Sequence, residues 1–114
     1  MGGATISFMS RLQQLQQFLA DSPDDAFILF ALAKEHEKQN ELALALSYYL
    51  TLREKNADYV GTYYHLGKLQ EKQQDFDAAV ATYTEGMAAA KKAGDNHAFR
   101  ELAGARLNLV DEDE

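Results

Sequence analysis

An internal repeat with a period of 34 residues constrains this chain more than any other feature. Tyr63-x-x-Leu66-Gly67, followed by Asp75-Phe76-Asp77-Ala78-Ala79 and Tyr83, has a fainter copy of itself one period upstream. Sliding residues 27–53 against 61–87 gives seven identities: Leu32/Leu66, Lys34/Lys68, Glu37/Glu71, Lys38/Lys72, Gln39/Gln73, Ala45/Ala79 and Tyr49/Tyr83. Conservative replacements lie between them, at Ala33/Gly67, Glu41/Asp75, Leu42/Phe76 and Leu46/Val80. A recurring unit of this length is one supersecondary element that buries its apolar face against its neighbours, so the period predicts a repeat array.

Punctuation and helical periodicity make that unit a pair of helices. Ser22-Pro23-Asp24-Asp25 supplies capping oxygens and negative charge. Both suit a helix N-terminus, where backbone N–H groups lack partners and the dipole is positive, and they predict a helix over about 25–38. Gln39-Asn40-Glu41 forms the turn, and Leu42, Ala45, Leu46 and Tyr49 at i, i+3, i+4 and i+7 give a second helix over about 41–55. Asn56-Ala57-Asp58 ends it, and helices over about 59–72 and 75–92 make the next pair. Gly94-Asp95-Asn96 precedes a last helix over about 95–110, with Phe99, Leu102, Arg106 and Leu109 on one stripe.

The start of the chain fits the same ruler. With Pro23 one period before Ala57, residues Leu12, Leu15, Phe18 and Leu19 fall one period before Leu46, Tyr49, Leu52 and Arg53. Residues 6–20 therefore read as a second helix without its first. The expected organisation is one all-α domain: a half repeat over 6–20, repeats over 25–58 and 59–92, a closing helix over 95–110 and an acidic tail over 111–114. A closing helix is expected because an end repeat leaves one apolar face without a neighbour.

Composition excludes several function classes. One proline, seven glycines and abundant Ala, Leu, Gln, Glu and Lys favour helix. Cysteine is absent, which removes disulfide and thiol chemistry. No apolar run reaches 18 residues, and residues 1–20 carry Arg11 and several glutamines where a signal peptide needs an apolar stretch, so a cytoplasmic location is expected. Met1-Gly2 opens like an acylation signal, but Ile6 stands where that signal needs Ser or Thr. A net charge of −7 argues against nucleic acid, whose binding is dominated by basic charge. Part of that charge is the terminal Asp111-Glu112-Asp113-Glu114, a run that reads as solvated.

Reactive constellations are equally scarce. There is no nucleophile paired with a base and no glycine-rich phosphate loop. The three histidines, His36, His65 and His97, form no pair at zinc-ligand spacing. His36 falls on the packing stripe with Leu32 and Ala33 and reads as a core histidine; His97 falls in a capping turn. Asp75 reads as an N-cap and Asp77 as a first-turn acid, and Gly67 as a residue kept small for helix contact. No enzymatic activity, metal or cofactor is expected.

Period and residue types together resemble the tetratricopeptide repeat, a 34-residue helix-turn-helix unit with the pattern W-x-x-L-G-x-x-Y, then A-x-x-x-F, then P. Leu66-Gly67 and Leu32-Ala33 fill the L-G places, and Ala79 with Tyr83 and Ala45 with Tyr49 fill A-x-x-x-F. Leu29 and Tyr63 replace the Trp, His36 and Gln70 replace the Tyr, and Pro23 holds the repeat-ending proline's place. The resemblance covers about residues 10–110 and is closest to short, stand-alone bacterial members. It implies a right-handed superhelical array whose first helices line a concave groove, acting as a protein-interaction module.

In that arrangement Phe27, Phe30, Lys34, Glu37 and Lys38 form the groove stripe of one repeat, and Gly61, Tyr64, His65, Lys68, Glu71 and Lys72 that of the next. Lys34 is then expected beside Lys68 and Lys38 beside Lys72, with aromatic rings at their feet. The expected peptide site is Phe27, Phe30, Lys34, Lys38, Tyr64, His65, Lys68 and Lys72, and an aromatic floor with a lysine rim suits an extended acidic peptide or a C-terminal carboxylate. Glu37, Glu41, Glu71 and Asp75, each three residues after a lysine, offer those cations partners within the chain instead. Family members that clamp the C-terminal carboxylate of chaperones use asparagines where Lys34 and His65 stand, so that ligand is not expected. The alternative to a groove is self-association through end helices, around Ile6, Phe8, Leu12 and Leu15 or around Phe99 and Leu102.

Overall fold

A computed structural model describes residues 10–110. They form six helices: α1 (Arg11–Asp21), α2 (Ala26–Lys38), α3 (Leu42–Lys55), α4 (Gly61–Lys72), α5 (Phe76–Ala93) and α6 (Asn96–Leu107). No strand occurs among the described residues. Each helix packs on the next along the chain, and α4 also touches α6 across α5. Ile6, Phe8 and the acidic tail lie outside the described residues.

The helix ends follow from local hydrogen bonding. Ser10 Oγ accepts from the Gln13 amide at 3.1 Å while Gln13 Oε1 accepts from the Ser10 amide at 3.0 Å, and this reciprocal cap starts α1 at Arg11. Asp25, Asp75 and Asp95 cap α2, α5 and α6 by accepting from the amides of Ile28, Ala78 and Ala98 at 3.0, 3.3 and 3.0 Å. The turns between paired helices are built alike: Asn40 and Gln74, 34 residues apart, sit in the left-handed region at φ 61° and 64°. In each turn the next amide reaches back into the helix, Glu41 to the His36 carbonyl at 2.8 Å and Asp75 to that of Gln70 at 2.9 Å. Gly94, at φ 72°, makes the same closure after α5. Glu41 and Val60, before α3 and α4, make no side-chain cap, and the Glu41 carboxylate takes His36 Nδ1 at 2.9 Å instead.

Three buried clusters run along the array as one stacked core. Leu15, Ala31 and Leu32 join α1 to α2. Ala33, Ala45, Tyr49, Leu66 and Leu69 join α2, α3 and α4. Tyr63, Ala79, Tyr83, Ala90, Leu102 and Ala105 join α4, α5 and α6. His36 is buried, as its stripe position predicts, and stacks on Tyr48 with centroids 5.4 Å apart. Gly67 is the contact glycine: a Cβ there would meet the Tyr83 ring at 2.2 Å. The outer side of α1 is polar, with Gln13, Gln16 and Gln17 exposed beside the half-exposed Phe18.

A polar tie recurs with the same period. The Tyr49 hydroxyl donates to Glu37 Oε1 at 2.8 Å, and one period later the Tyr83 hydroxyl donates to Glu71 Oε2. Each tie fastens the second helix of a pair to the last turn of the first. Burial, and then the adjacent carboxylate, holds both phenols well above the ordinary tyrosine value of 10.0. Tyr83→Phe removes one donor while keeping the ring, and is expected to cost about 1.5 kcal/mol in urea unfolding, because a partly buried carboxylate loses its partner. An unchanged midpoint would show that Lys68 or water satisfies Glu71. The stability carried by both phenols is complete below pH 10 and is lost as pH rises toward their raised folded values.

Candidate functional site

Phe30, Lys34 and Lys38 follow one another at intervals of four residues along α2, and Tyr64, Lys68 and Lys72 repeat them along α4. One helix face therefore carries each set. His65 takes the place that Ala31 holds one repeat earlier. Ala31 faces back toward α1, and His65 correspondingly faces back toward α2.

The resulting ring contacts bridge the two helices. Phe30 meets His65 edge-on with centroids 5.2 Å apart, and also lies 5.8 Å from Tyr59 and 6.2 Å from Tyr49. His65 lies parallel to Tyr49 at 6.5 Å and edge-on to Tyr64 at 5.9 Å. Lys34 Nζ stands 3.3 Å from His65 Nδ1. An ammonium can only donate, so Nδ1 is the acceptor and the ring proton is on Nε2. Burial first, and the Lys34 charge second, lower the His65 pKa below its ordinary 6.5, which keeps the ring neutral at pH 7.

Six of the eight expected site residues divide between two concavities. One, of about 520 Å³, is floored by Phe27, Phe30 and Ala31 and edged by Lys34, Lys38 and Arg11, with Glu35 and Glu37 also on its wall. The other, of about 130 Å³, lies between α4 and α6 and is lined by Val60, Gly61, Tyr64, His65, Asp95, Ala98, Glu101 and Leu102. Phe30 and Lys34 belong to the first and touch His65 of the second, so the two meet at that contact. Lys68 and Lys72 line neither.

The lysines have partners other than one another. Lys34 is held by His65, whereas Lys68 lies 3.7 Å from Glu71 Oε2 and over the Tyr64 ring at 5.5 Å. Glu37, three residues after Lys34, takes the Tyr49 hydroxyl instead. Three groups that sequence reasoning left out of the site are Arg11, Asp95 and Glu101. Arg11 enters because α1 packs on α2, and its guanidinium lies 3.9 Å from Glu35. The acids enter because α6 stands beside α4 as another first helix, a placement that Leu102-Ala103, with Phe99 in the Trp place, signals in the sequence.

His97 is exposed in the first turn of α6. Among the described residues no group of His, Cys, Asp or Glu could hold a metal ion, and no helix is long and apolar enough to cross a membrane.

No family model matches the chain, and no curated protein does. Solved structures do. The solution structure of a tetratricopeptide repeat domain protein from Salinibacter ruber is 42% identical, covers 76% of this chain and 88% of its own, and superposes with a TM-score of 0.73. The crystal structure of the tetratricopeptide repeat domain protein from Salinibacter ruber is also 42% identical, over 75% of this chain and 94% of its own, with a TM-score of 0.71. A Bordetella parapertussis protein in solution is 25% identical over 88% of this chain and 87% of its own, with a TM-score of 0.74. Matching helix pairs, a 34-residue period and identity at this level over three quarters of the sequence lead to one conclusion: the chain belongs to the tetratricopeptide repeat family, whose fold is a protein-interaction repeat.

Proposed function

We propose that this protein is a non-enzymatic interaction module that binds an extended, acidic peptide segment of a partner protein along the α2–α4 face. The observation that carries the reading is the exposed Phe27 ring, 63% accessible, on a mostly apolar concavity edged by Arg11, Lys34 and Lys38. Exposed aromatics beside cations hold apolar side chains by desolvation and acidic ones by charge-assisted hydrogen bonds. Among the described residues Phe27 is absent from the three buried clusters, and it is the most exposed of the large apolar side chains.

The test is partner recovery from the source cell, followed by titration of the recovered partner's acidic segment. Lys34→Glu with Lys38→Glu is expected to reduce affinity by a factor on the order of 100 while leaving helical content and melting temperature nearly unchanged, because both side chains are exposed. Wild-type binding should weaken as salt rises, since exposed charges are screened beyond about 8 Å at physiological ionic strength. Phe27→Ala should weaken binding at all salt concentrations. Undiminished recovery by the double charge reversal would refute the groove.

A second reading, self-association through the ends, is favoured by one observation. Phe18 is 56% exposed on α1 and Leu107 51% exposed on α6, whereas Leu52, one period after Phe18, is fully buried. Light scattering separates the two, because end-to-end assembly predicts a mass that rises with concentration.

A further inference from the structure

We propose that the peptide groove is bipolar and fixes the direction of its ligand: acidic residues lie at the α1–α2 end, and a lysine, arginine or free amino group lies between α4 and α6. This rests on the peptide-groove reading and adds to it the order of charges in the partner.

The two ends differ in which charges remain available. At the α1–α2 end three cations, Arg11, Lys34 and Lys38, outnumber two carboxylates, Glu35 at 3.9 Å from Arg11 and Glu37, which accepts from the Tyr49 hydroxyl at 2.8 Å. Lys34 leans on a neutral imidazole and Lys38 is exposed, so positive charge is left for a ligand. At the α4–α6 end the charged wall is Asp95 and Glu101, and no Lys or Arg lines it. Among the described residues neither acid has an ion-pair partner. Asp95 spends Oδ1 on the Ala98 amide, while the exposed Glu101 is close enough to act electrostatically on His65. Lys68, one turn after Tyr64 on α4, is turned to Glu71 over the Tyr64 ring.

An apolar track connects the ends. Phe30, His65 and Tyr64 touch in sequence, and Leu102 continues the wall onto α6. Tyr64 and Leu102 flank the acids, as the aliphatic stem of a bound lysine or arginine requires. The two concavities meet where Lys34 Nζ stands 3.3 Å from His65, a side chain that Glu101 also acts on, so the charged ends are only a few residues of extended peptide apart. A peptide with acid and base at that separation satisfies both ends, and the reversed peptide places like charges together at each.

Selection of a random peptide display library on the intact chain tests this. Enriched peptides are expected to carry acidic and basic residues in one order, a few positions apart. A synthetic copy of the strongest binder should lose affinity about tenfold when its charge order is reversed, and about tenfold against Glu101→Lys, measured by fluorescence anisotropy. Changing its basic residue to Glu should restore binding to Glu101→Lys. Circular dichroism checks that this exposed substitution leaves the fold intact. Enrichment of acidic peptides without a basic residue, or indifference to Glu101→Lys, overturns the bipolar groove and leaves peptide binding standing. No enrichment at all overturns both.

Discussion

Leu66→Ala is expected to lower the free energy of unfolding by about 2–5 kcal/mol, a large part of the stability of a domain this size. Leu66 is fully buried, and its cluster draws on α2, α3 and α4, so it bonds one repeat to the next as well as the two helices of a pair. Truncating it leaves a cavity with walls on three helices that cannot collapse independently. Urea unfolding measures the loss as a fall in midpoint. A midpoint unmoved by the substitution would contradict the register in which Leu32 and Leu66 are equivalent core positions.

Gly86→Ala should be the most damaging of the small changes. A Cβ on Gly86 would lie 2.4 Å from Tyr63 Cβ, 2.9 Å from Tyr63 Cγ and 3.1 Å from Leu102 Cδ1. The first two atoms sit close to the α4 backbone, and the Tyr63 hydroxyl is fixed by its 2.6 Å bond to the Ala57 carbonyl. No side-chain rotation therefore relieves the clash, and α5 must move away from both α4 and α6. The expected cost is about 3 kcal/mol, the upper part of the range for overpacking. Gly67→Ala is a useful contrast, because the clashing atoms there, at 2.2 and 2.6 Å, are the far end of the Tyr83 ring, which can be displaced together with its Glu71 partner without moving a backbone. The equivalent Tyr49 already lives beside Ala33 in the preceding repeat. Gly86→Ala should thus melt well below Gly67→Ala, and the reverse order would contradict this account of the α4–α5–α6 contact.

The two glycines also show what the sequence could and could not reveal. Gly67 was legible because its period-mate is Ala33, another small residue at the same contact. Gly86 was not, because its period-mate is Leu52, and Leu29 and Leu52 fill the space that Tyr63 and Gly86 share one repeat later. The volume is distributed differently between the partners, and identity at one position carries no sign of it. Capping was readable wherever an aspartate preceded an apolar period, as at Asp25, Asp75 and Asp95. Glu41, Asp75's period-mate, departed from the pattern because the neighbouring His36 claimed its carboxylate.

For the site, the stripe of α2 and α4 could be read from helical spacing, but the partners of its lysines could not. A period places Lys34 opposite Lys68; only three-dimensional packing shows that His65, one residue further round the helix than Tyr64, reaches Lys34 first. The acidic end was hidden by a break in the period itself. Helix α5 has 18 residues where α3 has 14, so the core leucine of α6 is Leu102 and not the residue 34 positions after Leu66, the exposed Arg100. Carrying the ruler past Ala93 without that offset puts Glu101 and Asp95 on the wrong face.

The central claim, that this protein holds its partner along the α2–α4 face, is tested most directly by backbone amide NMR during titration with the recovered partner's segment. Shifts should be largest at Phe27, Phe30, Lys34, Tyr64 and His65 and small on the outward residues of α3 and α5. Shifts confined to those outward residues, or to the surroundings of Phe18 and Leu107, would contradict it.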